Sequence, residues 1–415
     1  MANHHPPLPT PPSILWPQVW GLAAVQGAIA LTWVIYGLYL KSLLVDFGFP
    51  PALATLILVV ENILAVGIEP LMGSLADQQQ HWMSSRFPLI AAGMVLASLT
   101  FIGIPTVVIF GFEHPGWHWL LPTLMVAWAL AMALFRSPAL SLLGRYALAS
   151  KLPQAASILT LVGGLAGALG PLANQWLLSL GPLITFTTGS LVLLGAAACL
   201  GRMNPDRCLA PPSADPDPEV PKQPHQSLRY SSLALVFGTG FSITLGFRLL
   251  MQGLPPLLKL NIPNSSPALI LGSIFIALAL TAIPCGALAT RLGNALAMVL
   301  GLLSMALWIG IMALNTSVMV ALGLAILLGL SFSLVSNGVI PLALSMVPAE
   351  RGGLGTGIYF GGAALAASLF GANARQLEAL LPVVGIGLSS GAFVSAAVWV
   401  ALTQRGISRP SLSAR

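Results

Sequence analysis

The chain has 415 residues, of which 56% are hydrophobic and only 7% are charged, and its mean hydropathy is +0.89. A soluble domain carries roughly a quarter charged residues on its surface, so this composition excludes a water-soluble globular protein. The net charge of +6 comes from cations that stand singly between apolar runs. It therefore excludes the continuous basic stripe of a nucleic-acid-binding surface.

Apolar segments long enough to cross a bilayer, at about 20 residues each, follow one another along the chain in two sets of six. The first set predicts helices at 17–44, 51–76, 87–111, 117–145, 153–178 and 181–201. The second set predicts helices at 230–260, 266–289, 294–314, 317–346, 353–376 and 381–403. We therefore expect an all-α membrane protein with 12 transmembrane helices.

The segments between and beyond the two sets are polar and rich in proline, and they have no apolar face to bury. They divide the chain into a disordered N-terminal tail (1–15), a first six-helix bundle (16–201), a cytoplasmic linker (202–229), a second six-helix bundle (230–403) and a C-terminal tail (404–415).

The distribution of Lys and Arg among the loops predicts the orientation in the membrane. With the N-terminus inside, most of these cations fall in cytoplasmic loops, and the outside loops hold only Lys41, Lys259 and Arg375. Cytoplasmic loops carry the excess of positive charge in membrane proteins. We expect a multi-pass protein of the cell inner membrane with both termini in the cytoplasm.

Four charged residues fall well inside the predicted helices, namely Glu61, Glu69, Arg136 and Arg248. Each such charge costs about 2.5–3.5 kcal/mol on insertion scales, so we expect all four to face the bundle interior and to pair. Glu69 and Arg136 lie at similar depth. Because desolvation favours a protonated carboxylate and a nearby guanidinium opposes it, moving Arg136 away would load Glu69 with a proton. Glu61 is an alternative proton acceptor, and a permanent structural ion pair is the alternative to coupling.

Polar and aromatic side chains share helix faces that would be unfavourable against lipid. In the first predicted helix a glutamine, a tryptophan and a tyrosine lie on one face, and in the seventh a threonine, an arginine and a glutamine repeat every four residues. Aromatic rings with amides and hydroxyls suit a sugar. The candidate substrate contacts are Gln26, Trp33, Tyr36, Asn62, Trp128, Thr244, Gln252 and Asn337.

The two halves of the chain echo each other after their second helices. Gly73-Ser74-Leu75-Ala76-Asp77 stands at this place in the first half, and Gly286-Ala287-Leu288-Ala289-Thr290-Arg291-Leu292-Gly293 stands there in the second. Paired halves around a central site are the basis of alternating access in many secondary transporters.

The first of these segments resembles the loop signature of the major facilitator superfamily, and the second is a degenerate copy. The resemblance covers essentially the whole chain and implies the major facilitator fold, with two pseudo-symmetric six-helix bundles. It also implies a gating role for Gly73, Asp77, Arg86, Gly286 and Arg291 on the cytoplasmic side, with Asp77 at a helix N-terminus of the other half.

A closer resemblance lies in the first half. Glu69-Pro70-Leu71-Met72-Gly73, followed by Asp77 and by Arg86-Phe87-Pro88-Leu89-Ile90, is similar to a pattern of the sugar:cation symporters in the glycoside–pentoside–hexuronide and sucrose (SLC45-like) branches. The segment Arg136-Ser137-Pro138-Ala139 resembles a fourth-helix segment of the same transporters. Melibiose-type members place an aspartate about where Arg136 stands and bind Na+ with it. Since arginine cannot ligate a cation, we expect coupling to protons rather than to Na+.

The sequence favours a secondary active transporter that moves a small solute, a sugar or glycoside, by proton-coupled alternating access. One alternative is an exporter of amphipathic compounds. Another is a non-transporting membrane assembly factor of the pigment-assembly type on the same fold. We expect no enzyme activity, metal or cofactor, because no catalytic constellation stands in the sequence. The expected partners are the solute, protons and the lipid bilayer, with no nucleic acid, and the protein is expected to be a monomer.

Overall fold

The structure is a computed structural model that describes residues 12–83, 85–110, 117–203, 206, 209, 228–378, 380 and 382–407. Within these residues, 12 helices are long and apolar enough to cross a membrane, so the predicted all-α fold with twelve spans is confirmed. Residues 1–11 of the predicted tail, most of the predicted linker and residues 408–415 lie outside the described residues.

The described residues of the first half form six long helices and one short one. They are α1 (Trp16–Asp46), α2 (Ala52–Met83), α3 (Phe87–Phe110), α4 (Leu120–Ser141), the short α5 (Leu143–Tyr146), α6 (Leu152–Ser179) and α7 (Pro182–Arg202), with a 3-10 turn at Ala149–Lys151 before α6.

The second half repeats this arrangement. Its helices are α8 (Tyr230–Asn261), α9 (Pro267–Leu292), α10 (Asn294–Leu314), α11 (Val318–Ser345), α12 (Gly352–Ala372), the short α13 (Ala374–Glu378) and α14 (Pro382–Ile407), with a 3-10 turn at Ala349–Arg351 before α12. Each half has its own buried apolar cluster.

Prolines mark where several helices begin and where others bend. α1, α6, α7 and α9 each carry a proline in the first turn, where its missing N–H has no intrahelical partner to lose. Pro70 lies inside α2, Pro138 inside α4 and Pro171 inside α6. Ala173 beside Pro171 has non-helical dihedral angles, so α6 is kinked there. Neighbouring helices make such breaks tolerable within a membrane.

The two halves meet along two seams, α2 against α12 and α6 against α9. Both seams use small residues: a Cβ atom on Gly73 would overlap the Gly353 carbonyl, and one on Gly286 would lie 2.6 Å from the Ser157 Cβ. Small residues let membrane helices approach closely. At one end of the bundle α1 begins, α7 ends and α8 begins. We name this end the linker end, and we name the opposite end the far end.

Residues 13–15, assigned to the disordered tail by the sequence, are held against the connection between α4 and α6. The Leu15 N–H donates to the Tyr146 carbonyl at 2.7 Å, and the Leu148 N–H donates to the Ser13 carbonyl at 3.1 Å. Ile14 forms an antiparallel bridge with Ala147. These three residues therefore differ from the predicted disordered tail, because the extended backbone of the connection supplies hydrogen-bond partners.

Candidate functional site

A cavity of about 360 Å³ lies between the two halves, toward their linker end. Gln26 on α1 and Thr244 on α8, both predicted substrate contacts, lie on its wall, as does Arg136 on α4. Its other polar lining side chains are Thr160, Ser336 and Tyr359.

Most of the cavity wall is apolar. Four phenylalanine rings line it, Phe247, Phe275, Phe332 and Phe360. Phe247 stacks on Phe332 with ring centroids 5.1 Å apart and meets Phe275 edge-on at 6.1 Å. Such a wall suits the apolar part of an organic molecule, with a few polar groups to orient it.

Glu69 and Arg136 form the ion pair that the sequence predicts. The Arg136 Nε donates to the Glu69 Oε1 at 2.8 Å, a second guanidinium nitrogen donates to the same oxygen, and the Ser137 hydroxyl donates to Oε2. The Glu69 side chain is fully buried, whereas that of Arg136 is 20% exposed. The carboxylate is therefore enclosed, and the guanidinium separates it from the cavity.

The same pair lies against α12 of the second half. The Arg136 guanidinium carbon is 4.5 Å from the centre of the Phe360 ring, a cation–π contact. The Thr356 hydroxyl donates to the Ser137 carbonyl at 3.0 Å, and a Cβ atom on Gly357 would lie 2.5 Å from the Glu69 carbonyl oxygen. Any displacement of α12 relative to the first half would therefore change the surroundings of the pair.

Glu61 does not pair with a cation among the described residues, so that part of the sequence prediction is wrong. Its Oε1 accepts a hydrogen bond from the Tyr36 hydroxyl, and its Oε2 has no partner in the described part of the chain. The side chain is 2% exposed. Tyr36 packs on Trp128 with centroids 4.4 Å apart, and Trp33 packs on Trp128 at 4.9 Å. The aromatic rings of α1 and α4 pack on one another, and Tyr36 is the ring that carries a hydroxyl to bond with the Glu61 carboxylate.

Arg248 also lacks the predicted partner. It makes no hydrogen bond or ion pair with any described residue, and its side chain is exposed. Thr244, one helical turn before Arg248 on the same side of α8, lines the central cavity. We call the space beside Arg248 on that side of α8 the crevice.

The other predicted substrate contacts lie away from the cavity wall. Trp128 is fully buried in the aromatic cluster, and Trp33 is half-buried beside it. The Asn62 amide donates to the Leu58 carbonyl of its own helix at 2.7 Å, and the Asn337 amide donates from α11 to the Ala282 carbonyl of α9 at 2.8 Å. Gln252 is half-buried two turns beyond Thr244 on α8. Tyr36, the sixth, is buried and donates to Glu61. Substrate roles for these six residues stay predictions.

Asp77 forms an interhelical lock at the linker end. Its two carboxylate oxygens accept the N–H groups of Gly353 at 2.9 Å and Leu354 at 2.8 Å, at the start of α12. This is the contact with a helix N-terminus of the other half that the loop signature implies, and the position suits a negative charge because helix N-termini carry positive partial charge. The gating role stays a prediction.

Arg86 completes this lock. Its Nη2 lies 2.7 Å from Asp77 Oδ1, and its Nη1 donates to the Ser141 hydroxyl at 2.9 Å. Burial lowers the pKa of the Arg86 guanidinium, and the Asp77 carboxylate opposes that shift. The carboxylate thus compensates two groups at once, the helix N-terminus and the buried cation.

The second copy of the loop signature makes fewer contacts. Gly286 lies against α6, whereas Arg291 is exposed and pairs with no described residue. The Thr290 hydroxyl donates back to the Gly286 carbonyl of its own helix at 2.9 Å.

Sequence reasoning missed Phe360 and Thr356, the second-half residues that contact Arg136 and the Ser137 carbonyl. Phe360 is one apolar residue among many in α12, so the sequence carries no signal for this contact. Among the described residues, no group of three His, Cys, Asp or Glu side chains could hold a metal ion.

A family model described as Major Facilitator Superfamily matches residues 22–371. The crystal structure of the human organic anion transporter MFSD10 (TETRAN) is similar, with a TM-score of 0.64 and 18% identity over 94% of this chain and 100% of that one. The crystal structure of a bacterial homologue of the iron transporter ferroportin, in an outward-facing state, has a TM-score of 0.68 and 18% identity over 94% of this chain and 99% of that one. No curated protein sequence matches the chain.

Proposed function

Because the chain belongs to the major facilitator superfamily, we propose that it is a secondary active transporter that moves a small organic solute by proton-coupled alternating access. The observation that carries this proposal is the Glu69–Arg136 pair, which joins the wall of the central cavity to α12 of the other half.

The proposed coupling uses the geometry of that pair. A buried carboxylate is stable as an anion only while a cation or donors compensate it. Arg136 supplies that compensation, and its outer surface faces the cavity. Solute that draws the guanidinium toward itself, or a shift of Phe360 with α12, would leave Glu69 to take up a proton. Return of Arg136 would release the proton when the cavity faces the other side.

For the solute, a sugar or glycoside is the first candidate. It is supported by the resemblance to sugar symporters around Glu69 and Arg136, and by the amide of Gln26 and the hydroxyls of Thr160 and Thr244 on the cavity wall. The import of such a solute would follow the proton gradient, as in the sugar:cation symporters that the first half resembles.

Transport of an amphipathic compound is the second candidate. The four phenylalanine rings around the cavity favour it, because phenyl rings recognise apolar surface rather than hydroxyl groups. One of the similar structures is that of an organic anion transporter. The two candidates share the same coupling pair and differ in solute and direction.

The test uses proteoliposomes with an imposed pH gradient. We expect accumulation of labelled disaccharide under the first candidate, and movement of a dye-like compound under the second.

Glu69→Gln is expected to abolish gradient-driven accumulation while leaving the fold intact, because the amide can still accept from Ser137. Glu378→Gln, at an exposed acid on α13, is the matched control. Full proton-driven uptake by the Glu69 variant rules out this residue as the coupling acid. Movement of neither solute favours the non-transporting assembly factor.

A further inference from the structure

Arg248 carries a charge in the interior of α8 that the coupling pair does not use. It stands 18 residues after the start of the helix and 13 residues before its end, which places it well inside the apolar span. An arginine at such depth is costly unless an anion, a polar cavity or water compensates it. The residue therefore needs a partner that the described residues do not supply.

The acids of the surrounding spans bond to groups other than Arg248. Glu69 is paired with Arg136 and Ser137, and Glu61 accepts from Tyr36 within the aromatic cluster. Asp77 is bound in the lock at the linker end. No acid among the described residues pairs with Arg248, so its charge is available to an anion that enters the crevice.

The position of Arg248 connects this charge to the cavity. Thr244, one helical turn before it, and Phe247, directly before it, both line the cavity. Phe247 in turn contacts Phe275 and Phe332. The Arg248 guanidinium therefore lies next to a mostly apolar cavity of about 360 Å³. A charged group beside an apolar space suits an amphipathic solute better than a uniformly polar one.

We propose that Arg248 binds the anionic group of an amphipathic solute, a carboxylate, sulfonate or phosphate, while the apolar part of the solute occupies the cavity among the phenylalanine rings. A guanidinium forks to the two oxygens of such a group. Thr244 and Gln252, one turn to either side of Arg248, are placed to donate further hydrogen bonds. This inference rests on the proposed transport function and names the solute class of the same cavity.

The test compares probes that differ only in the charged group. 4-Nitrophenyl β-glucuronide and 4-nitrophenyl β-glucoside differ by a carboxylate in place of a hydroxymethyl group, and 2-naphthoate and 2-naphthamide form a second pair. Binding is measured on the full chain in nanodiscs by ligand-induced thermal stabilisation. We expect the anionic member of at least one pair to bind about tenfold more tightly, the range of a charge-assisted hydrogen bond.

Arg248→Gln is expected to remove this preference, and Arg248→Lys to keep part of it. Lys259→Gln, an exposed cation near the far end of the same helix, is the control and should keep the preference. Equal binding within both pairs, binding of none of the four probes, or a preference that survives Arg248→Gln overturns the assignment. Gradient-driven uptake of a neutral glycoside without any anion preference would overturn this inference alone and leave the proposed transport function standing.

Discussion

The linker-end turns of the second helix of each half have related sequences but different contacts. In α2, Asp77 reaches across to the N-terminus of α12 and also pairs with Arg86. In α9, the residue at the same distance from the glycine is Thr290, whose hydroxyl donates back to the Gly286 carbonyl. The glycines themselves behave alike, since Gly73 and Gly286 each bring two helices of opposite halves into close contact.

This difference separates two physical roles within one signature. Close packing of the seams needs a small residue and is present in both halves. The electrostatic lock needs an acid opposite a helix N-terminus and is present in one half. We therefore expect the α2–α12 seam to control closure of the linker end, and the α6–α9 seam to contribute packing. Five substitutions, in four comparisons, test this expectation.

The largest effect is expected from Asp77→Asn. The change leaves the buried Arg86 without a counter-charge and replaces a double acceptor by an amide, so we expect a loss of about 2–4 kcal/mol in stability and a linker end that opens more readily. Thermal unfolding in nanodiscs and the accessibility of a cysteine placed at Leu354 measure the two effects. Thr290→Ala is the matched control, with little change in either. Equal changes in unfolding temperature and cysteine accessibility in Asp77→Asn and Thr290→Ala would contradict the proposed difference between the two seams.

The next largest effect is expected from alanine at the seam glycines. At Gly73 the new Cβ would overlap the backbone carbonyl of Gly353, which must move with its helix, so a cost of about 1–3 kcal/mol is expected. At Gly286 the closest atom belongs to the Ser157 side chain, although the Pro153 carbonyl oxygen is 2.9 Å away. We therefore expect Gly286→Ala to cost less. Thermal unfolding of the two variants, measured side by side, tests this order. A greater loss of stability in Gly286→Ala than in Gly73→Ala would contradict the expected difference between the seams.

A smaller effect in the opposite direction is expected from Thr290→Asp. Thr290 lies one turn beyond Gly286 on the face that packs on α6, near the N-terminus of that helix at Leu152. An added carboxylate there would reproduce the first-half arrangement and stabilise closure by about 0.3–1 kcal/mol. Reduced accessibility of a cysteine at the start of α6 is the measurement, with Thr290→Asn as the uncharged control. Unchanged accessibility would mean that the missing acid is not what distinguishes the seams.

The smallest effect is expected from Arg291→Gln. The side chain is exposed and pairs with no described residue, so its removal should change stability by no more than about 0.5 kcal/mol. Transport in proteoliposomes is the second measurement. A loss as great as that of Arg86→Gln, tested in parallel, would show that the second signature also gates.

The positions of the twelve spans follow from the sequence alone, because the bilayer requires about 20 apolar residues per helix and this chain offers such runs in series. The same holds for the Glu69–Arg136 pair, since buried charges at one depth have few other partners. The contact of Asp77 with the second half was reached through the loop signature that the chain shares with its family.

The tertiary structure alone decided which neighbours surround each face of a helix. The sequence places Trp128 and Asn337 at suitable depths, but packing directs one into an aromatic cluster and the other to the Ala282 carbonyl. Packing likewise leaves Glu61 with Tyr36, and it leaves Arg248 without a partner among the described residues. Depth along a helix can be counted from residue numbers, whereas rotation about its axis and the identity of adjacent helices depend on the packing of all twelve.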